Sequence, residues 1–145
     1  MIETFQVFKI YPSSLSIKIK KTKFLARINI NGDIFLIGSN GKFSKDFFQS
    51  DSEILPFIFG NPKVEEFLKI ISIINESDFK FENVKNLFFY KSGRIDLELK
   101  DNILIKLPLD DLENVFKKIS QLISKNKLNQ KIIDARVPNQ IILYD

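Results

Sequence analysis

The segment from Arg94 to Lys100 alternates apolar and charged side chains, and this constrains the fold more than any other stretch of the chain. The apolar positions are Ile95, Leu97 and Leu99, and the charged positions are Asp96, Glu98 and Lys100. Because a strand directs successive side chains to opposite faces, the alternation predicts a sheet with one buried face and one face in water. A second strand, Ile103 to Leu107, is predicted after the turn residues Asp101-Asn102.

Further strands are predicted on both sides of this pair, because other β-prone runs are bounded by turn residues. Asn31-Gly32 lies between two apolar runs and is the strongest short-range hairpin signal in the chain. The predicted strands are Phe5 to Ile10, Leu15 to Lys20, Phe24 to Ile30, Ile34 to Ile37 and Val84 to Tyr90. The polar segment 44–53 is expected to cross the surface as a loop.

Two amphipathic helices are predicted between the strands. The first is expected to begin with Asn61 as the capping residue and Pro62 in the first helical position, and to end near Asn75. The second has capping-box spacing between Asp110 and Glu113. Their apolar stripes, at steps of three and four residues, are Val64, Phe67, Leu68, Ile71 and Ile74 in the first and Leu112, Val115, Phe116, Ile119, Leu122 and Ile123 in the second.

The order of strands, helix, meander, helix and strands predicts an α+β fold. We expect a mostly antiparallel sheet with two helices packed on one face. A length of 145 residues fits one domain, or one domain with a fragment of another. The short apolar segment Leu55 to Gly60 is expected to lead into the first helix.

The chain contains no His and no Cys, so the commonest acid–base side chain and all thiolate chemistry are missing, while carboxylate or lysine chemistry survives in principle. Nucleophilic Ser-His and Cys-His pairs, disulfides and zinc sites of thiolate or imidazole are excluded. The acidic pairs Glu65-Glu66 and Asp110-Asp111 lie at predicted helix starts, where dipole compensation explains them. Neither GxGxxG nor a phosphate-binding loop occurs. We therefore expect no catalytic residues, no cofactor and no small-molecule substrate, and an enzyme is the least favoured reading.

The net charge of +4 is carried by 22 Lys and Arg residues, of which only three are Arg. Nucleic-acid readers favour Arg forks, so no nucleic-acid partner is expected, and such a binder is a third alternative resting on charge alone. The densest cluster, residues 18–23, fits a solvated strand face or a contact with anionic lipid. No stretch of eighteen apolar residues, as a membrane span needs, and no signal peptide occur.

The C-terminal segment, residues 131–145, predicts two strands separated by Pro138-Asn139. The final strand, Ile141 to Tyr144, is expected to leave an uncovered edge, where another protein can add a strand. A proline at Ile142 should then remove a ladder donor and weaken partner binding. Arg136 has two readings that stay open: an intramolecular pair with Asp134 or a neighbouring carboxylate, or a planar cation directed at a partner's carboxylate.

Several motifs of the chain, given below, resemble motifs of the FtsQ/DivIB family of bacterial cell-division proteins in their order and spacing. The ending Ile133-Asp134-Ala135-Arg136-Val137-Pro138-Asn139, followed by an apolar strand, is similar to the family's closing motif. Tyr11-Pro12-Ser13-Ser14-Leu15, Leu55-Pro56 with Gly60, and Ile105-Lys106-Leu107 match earlier family elements. The resemblance implies that residues 1–22 are the C-terminal remnant of a POTRA-like domain and that residues 23–145 are the family's β domain.

The resemblance also implies a function without catalysis. We expect a divisome scaffold of the cell envelope that recruits FtsB/FtsL-type partners to the septum by β-augmentation at the C-terminal strand. The implied partner-binding positions are Arg136, Val137, Pro138, Asn139, Ile141, Ile142, Leu143 and Tyr144. Attachment to the inner membrane, on its periplasmic side, is expected through an N-terminal segment absent from this chain, which itself is expected to be soluble. The alternative is a POTRA-like envelope module with weak, sequence-tolerant polypeptide binding.

Overall fold

The computed structural model describes the backbone of residues 2–10, 14–21, 23–46, 54–125 and 128–145, and side chains from residue 23 onward within those ranges. The strands are β1 (Ile2–Ile10), β2 (Ser14–Lys21), β3 (Phe24–Ile30), β4 (Asp33–Gly38), β5 (Phe43–Lys45), β6 (Phe57–Phe59), β7 (Val84–Phe89), β8 (Ile95–Leu99), β9 (Leu104–Lys106), β10 (Ile132–Asp134) and β11 (Ile142–Tyr144). The helices are α1 (Val64–Glu76) and α2 (Leu112–Lys125), and a 3-10 turn spans Phe81–Asn83.

Nine strands form one sheet in the order β11-β10-β9-β8-β7-β6-β3-β4-β5. Three junctions are parallel, namely β3 with β6, β6 with β7, and β9 with β10, and the other five are antiparallel. Among the described residues, strands β1 and β2 pair only with each other, as a separate antiparallel hairpin. The predicted α+β class, with a mostly antiparallel sheet and two helices on one face, is confirmed.

A row of apolar side chains crosses this sheet on the face that the helices cover. Its members, each paired with the next, are Ile28, Ile58, Leu87, Leu97, Ile105, Ile133 and Leu143. The first six are buried, and only Leu143, at the edge of the sheet, is substantially exposed. Phe67 of α1 and Phe116 of α2 are the largest fully buried side chains of this core. The row therefore continues the hydrophobic core out to β11.

The segment before α1 differs from the sequence-based expectation. Leu55 to Gly60 was expected to be a lead into the helix, but Phe57–Phe59 forms β6, a parallel strand between β3 and β7. Lys63 has an extended backbone (φ −67°, ψ 148°) and directly precedes the helix, so α1 begins at Val64 and Asn61 is not its cap. The capping prediction was wrong because the chain needs these residues to leave the sheet before it turns into the helix.

The start of α2 also differs from the prediction. The helix begins at Leu112, directly after Asp111, which adopts a left-handed conformation with φ of 59°. Asn114 Nδ2 donates to Asp111 Oδ1 at 2.8 Å. The side chain that accepts this hydrogen bond at the start of α2 is therefore that of Asp111, and not that of the predicted Asp110. The Asn31-Gly32 hairpin between β3 and β4 is present, with positive φ at both residues, as a type I′ turn requires.

Some sequence-based expectations lie outside the described residues. These are the turn at Pro12-Ser13, the distal part of the predicted surface loop at 47–53, the solvated lysine face of β2 and part of the connector after α2.

Candidate functional site

Strand β11 lies at one end of the nine-stranded sheet and pairs with β10 on one side only. Its pairs with β10 are Ile132 with Tyr144, Ile133 with Leu143, and Asp134 with Ile142. Within the described ranges, no strand pairs with the opposite flank of β11. The edge predicted from the C-terminal sequence is thus present as backbone that this sheet does not use.

The hydrogen bonds of β10 show which β11 residue presents its backbone outward. Leu104 N donates to Lys131 O at 2.7 Å, and Ala135 N donates to Lys106 O at 2.9 Å. Lys131 and Ala135 flank β10, so Ile133, two residues from each, also directs its backbone N–H and C=O toward β9. Alternation then turns Ile132 and Asp134 toward β11, and their partners Ile142 and Tyr144 back toward β10.

Lys131 N donates to Tyr144 O at 3.0 Å, which agrees with this orientation. Leu143 is therefore the β11 residue whose N–H and C=O point away from the sheet. The Ile142 N–H faces β10, so the ladder donor that a proline at Ile142 would remove belongs to the pairing with β10 and not to the outer flank of β11.

The other predicted docking residues precede or flank this edge. Val137, Pro138 and Asn139 form a turn, which Gln140 N closes by donating to Val137 O at 3.2 Å. Asn139 adopts a left-handed conformation with φ of 60°. Val137 is 44% exposed and Tyr144 is 47% exposed, while Ile141 is half-buried against the core. The structure thus brings the predicted residues together at one end of the sheet.

Arg136 forms the intramolecular pair that was one of its two readings. Its Nε donates to Asp134 Oδ1 at 2.9 Å, and its Nη2 donates to Asp134 Oδ2 at 2.7 Å. The Arg136 backbone N also donates to Asp134 Oδ1, at 3.0 Å. The Asp134 side chain is 7% exposed and the Arg136 side chain 41% exposed. The guanidinium is therefore both paired and accessible.

Charges of alternating sign cross the sheet beside this pair, on the face away from the helices. Asp96 of β8 is opposite Lys106 of β9, and Lys106 is opposite Asp134 of β10. Asp96 is 2% exposed and accepts hydrogen bonds from Tyr90 Oη at 3.2 Å and Arg94 Nη2 at 3.4 Å. Asp96 was expected on a wet face. That expectation was wrong because Arg94 and Tyr90 cover the carboxylate.

A cavity of about 760 Å³ opens next to the turn that leads into β11. One wall is the segment 135–141, and the others are the β9–α2 connection, the first turns of α2 and the β7–β8 turn. Leu109 and Val137 are exposed apolar residues at this cavity, and Arg136 and Lys118 bring positive charge to it. Sequence reasoning missed Leu109, because Pro108 was taken only as the end of a strand. The apolar residue directly after that proline was the available signal.

Pairing with Arg136 is the main cause that holds the pKa of Asp134 below its ordinary value, and Lys106 adds to it. The same pair raises the pKa of Arg136, with a smaller contribution from the charge of Asp96. A carboxylate with a lowered folded-state pKa stabilises the fold above its unfolded pKa of about 3.9, and this contribution is lost as pH falls through the folded value.

We expect Asp134→Asn to lower the free energy of unfolding at pH 7, and the difference from the parent to shrink steadily below about pH 4. Urea unfolding of both proteins at several pH values measures this difference. Asp33→Asn is a matched control, since Asp33 pairs with Lys45 at 3.4 Å and both side chains are about half exposed. A difference for Asp134→Asn that is the same at pH 2.5 and pH 7 would contradict the prediction.

No group of three or more acidic side chains suited to a metal ion occurs in the side chains that the structure describes. Among the described helices, none has the length and apolar character that crossing a bilayer requires.

The chain matches known proteins both in its sequence and in its structure. The family model described as cell division protein FtsQ/DivIB, C-terminal, matches residues 26–136. That match ends at Arg136, so β11 lies beyond it. The solved structure of the major extracytoplasmic domain of DivIB from Geobacillus stearothermophilus aligns with 10% identity and a TM-score of 0.46. The alignment covers 75% of this chain and 99% of that one.

Two curated relatives are both named cell division protein FtsQ. The protein from Rickettsia prowazekii is 34% identical over 141 residues, which cover 89% of this chain and 49% of the relative. The protein from Bradyrhizobium diazoefficiens is 24% identical over 143 residues, which cover 94% of this chain and 41% of the relative. The chain therefore spans about half the length of these relatives or less. Because the family model covers most of its length, the chain belongs to the FtsQ/DivIB family of cell division proteins.

Proposed function

We propose that this chain is a divisome scaffold that recruits a partner complex of the FtsB/FtsL type by accepting a strand from it at β11. Family membership supports a role in cell division. The observation that carries the proposal is the outer flank of β11, where Leu143 presents an N–H and a C=O that the described sheet leaves unused. Such an edge is a template for strand addition.

The apolar row across the sheet supports a defined register for the incoming strand. The row runs through buried residues from Ile28 to Ile133 and ends at Leu143, which is 36% exposed. An apolar side chain of the partner, placed opposite Leu143, would continue this row and cover Leu143. On the other face of the sheet, Ile142 and Tyr144 offer apolar surface to the partner residues on either side of the one opposite Leu143. A one-residue slip would exchange these faces, so the row favours one register.

Backbone hydrogen bonds alone are too weak to hold the partner. Leu143 offers one donor and one acceptor, and two bonds contribute about 1–3 kcal/mol net. Micromolar affinity requires about 8 kcal/mol. Most of the affinity must therefore come from side chains, which include Leu143, Tyr144, Val137 and the charged group of Arg136. The cavity beside the β11 turn adds apolar surface within reach of the same segment.

The setting of the chain in the cell follows from the same proposal. Residues 1–22 contain the separate β1–β2 hairpin, which fits the last strands of a POTRA-like domain, and residues 23–145 contain the nine-stranded sheet of the β domain. The curated relatives are about twice as long as this chain or longer. A membrane anchor upstream would hold the β domain on the periplasmic side of the inner membrane, where it would meet its partners.

Leu143→Pro tests the docking edge, because it removes the outward N–H and leaves the bonds to β10 in place. We expect binding of the extracytoplasmic segment of the FtsB-type protein from the same genome to weaken at least about ten-fold, since one bond is lost and a partner carbonyl is left unpaired. Isothermal titration calorimetry measures this affinity, and circular dichroism confirms the fold.

Two control variants separate the causes. Leu143→Ala removes the side chain but keeps the donor, so it reports the apolar contribution alone. Ile142→Pro removes a donor that faces β10 and should loosen β11 in the absence of any partner. Equal affinities of Leu143→Pro and Leu143→Ala would contradict strand addition. Equal binding of unrelated extended peptides would instead support a sequence-tolerant envelope module.

A further inference from the structure

Two turns of the nine-stranded sheet carry an Asn-Gly dipeptide, the sequence in which asparagine deamidates most readily. Asn31-Gly32 joins β3 to β4, and Asn40-Gly41 lies between β4 and β5. In this reaction the glycine backbone nitrogen attacks the asparagine Cγ, gives up its proton to solvent and expels the side-chain nitrogen as ammonia. Glycine allows the attack because it has no side chain to hinder the approach. Both dipeptides are therefore candidate sites of covalent modification.

At the first turn, a neighbouring side chain holds the nitrogen that would attack. Gly32 N donates a hydrogen bond to Asn29 Oδ1 at 2.9 Å. A nitrogen whose proton is held by an acceptor loses that proton less readily, because the bond must be given up first. Asn29, Asn31 and Gly32 are all exposed, so water reaches this turn. Its protection therefore comes from the hydrogen bond and not from burial.

We propose that Asn31-Gly32 is a latent site of spontaneous deamidation and that Asn29 suppresses the reaction by holding the Gly32 N–H. When Gly32 N attacks the Asn31 Cγ, a new C–N bond forms, the bond from Cγ to the amide nitrogen breaks, and a cyclic imide results. Water then opens the imide at either carbonyl. One opening yields aspartate at position 31, and the other yields isoaspartate, in which the main chain runs through the side-chain carbon.

The second Asn-Gly turn is held in a different way. Gly41 N donates to Gly38 O at 2.9 Å, and Lys42 N donates to Asn40 Oδ1 at 3.0 Å. Here the main chain holds the nitrogen that would attack, so a substitution at Asn29 leaves this bond in place. The second turn is therefore an internal reference for the protection of the first.

Deamidation at the first turn would disturb the pairing of β3 with β4. The two-residue loop sets the register of these strands, in which Ile30 lies opposite Asp33 and Ile28 opposite Phe35. Isoaspartate adds one carbon to the main chain of this loop, and either product adds a negative charge beside Asp33. The lengthened loop no longer matches the type I′ geometry. The Asn29 side chain thus protects the β3–β4 hairpin from a covalent change in its loop.

Asn29→Ala tests the proposal, and Asn29→Asp is the matched control because its carboxylate keeps an acceptor at the same place. Parent and variants are incubated at alkaline pH and digested with trypsin. Cleavage after Arg27 and Lys42 leaves both Asn-Gly dipeptides in one peptide, in which tandem mass spectrometry locates the deamidation. In Asn29→Ala we expect Asn31 to deamidate about two- to ten-fold faster, the factor that corresponds to one net hydrogen bond, while Asn40 keeps its rate. Asn29→Asp should stay close to the parent.

A second measurement separates loss of this one bond from loosening of the whole hairpin. Asp46 N donates to Ile34 O at 2.9 Å, so Ile34 faces β5 and the next residue, Phe35, directs its N–H toward β3. Hydrogen exchange at the Phe35 N–H therefore reports whether β3 and β4 stay paired. In Asn29→Ala this exchange should match that of the parent.

The outcomes decide the proposal in either direction. Faster deamidation at Asn31 alone, in Asn29→Ala alone, supports it. Deamidation of Asn31 at the parent's rate in Asn29→Ala overturns it. An equal rise at Asn40, in Asn29→Asp or in the exchange of Phe35 also overturns it, because each would show that the bond to Gly32 is not the cause.

Discussion

Gly60→Ala should lower the free energy of unfolding by about 2–6 kcal/mol, one of the two largest effects expected from single substitutions in this chain. Gly60 has a φ of +99°, where side chains are strained, and a Cβ added there would lie 2.2 Å from the Phe89 carbonyl oxygen. Roughly 1–3 kcal/mol comes from the strained backbone and a similar amount from the overpacking that displaces β7. Urea unfolding of parent and variant measures the change.

Gly32→Ala is the matched control for this prediction. Gly32 has a similar φ of +92°, but a Cβ there would meet nothing within 4 Å. Its substitution should therefore cost only the backbone strain, about 1–3 kcal/mol. Equal losses in the two variants would show that the close approach to Phe89 is unimportant. A larger loss for Gly60→Ala would show that steric contact with the neighbouring strand adds to the strain.

Phe67→Ala should lower the free energy of unfolding by about 3–5 kcal/mol, because it leaves a large cavity under α1. Phe67 is 1% exposed and packs edge-on against Phe81 with 6.2 Å between ring centroids. A loss of this size is a large part of the 5–15 kcal/mol that holds a typical domain folded. Thermal unfolding should show a fall in Tm of roughly 10–20 °C.

Phe59→Ala makes the same change to a Phe of β6 that lies on the face of the sheet away from the helices. The Phe59 ring stacks on Phe88 with 4.9 Å between centroids, yet 45% of the residue is exposed. The expected loss is about 0.5–1.5 kcal/mol, close to the value of an aromatic pair. Losses of similar size in the two Phe variants would argue against a core that lies on the helix side of the sheet.

The fold class could be predicted because local patterns and global architecture agree. The period of two in Ile95, Leu97 and Leu99 places these residues on one face, and all three are buried. The Asn31-Gly32 turn and both helices also follow from local chemistry. Strand β6 could not be predicted, because three residues carry no measurable period and its partners, β3 and β7, are distant in the sequence.

The candidate site was predictable in place but not in detail. Pro138-Asn139 and the β-prone residues after it located the edge, and the two readings of Arg136 included its pair with Asp134. The direction of the Leu143 backbone could not be read from the sequence, because it depends on the register of β10 against β9. The burial of Asp96 was missed because it needs Tyr90 and Arg94 to fold over the carboxylate.

Strand β6 is a short connection between two halves of the nine-stranded sheet. On one side, β3, β4 and β5 form an antiparallel unit, and on the other side β7, β8 and β9 form a second one. Only the three residues of β6 bond to both units within the described sheet. Proteins unfold locally in cooperative units, and we expect the boundary between two such units to lie at β6. We therefore expect the half of the sheet that ends at β11 to keep its structure while the half formed by β3, β4 and β5 opens. If β11 binds a partner as proposed, that partner would stay bound during such opening.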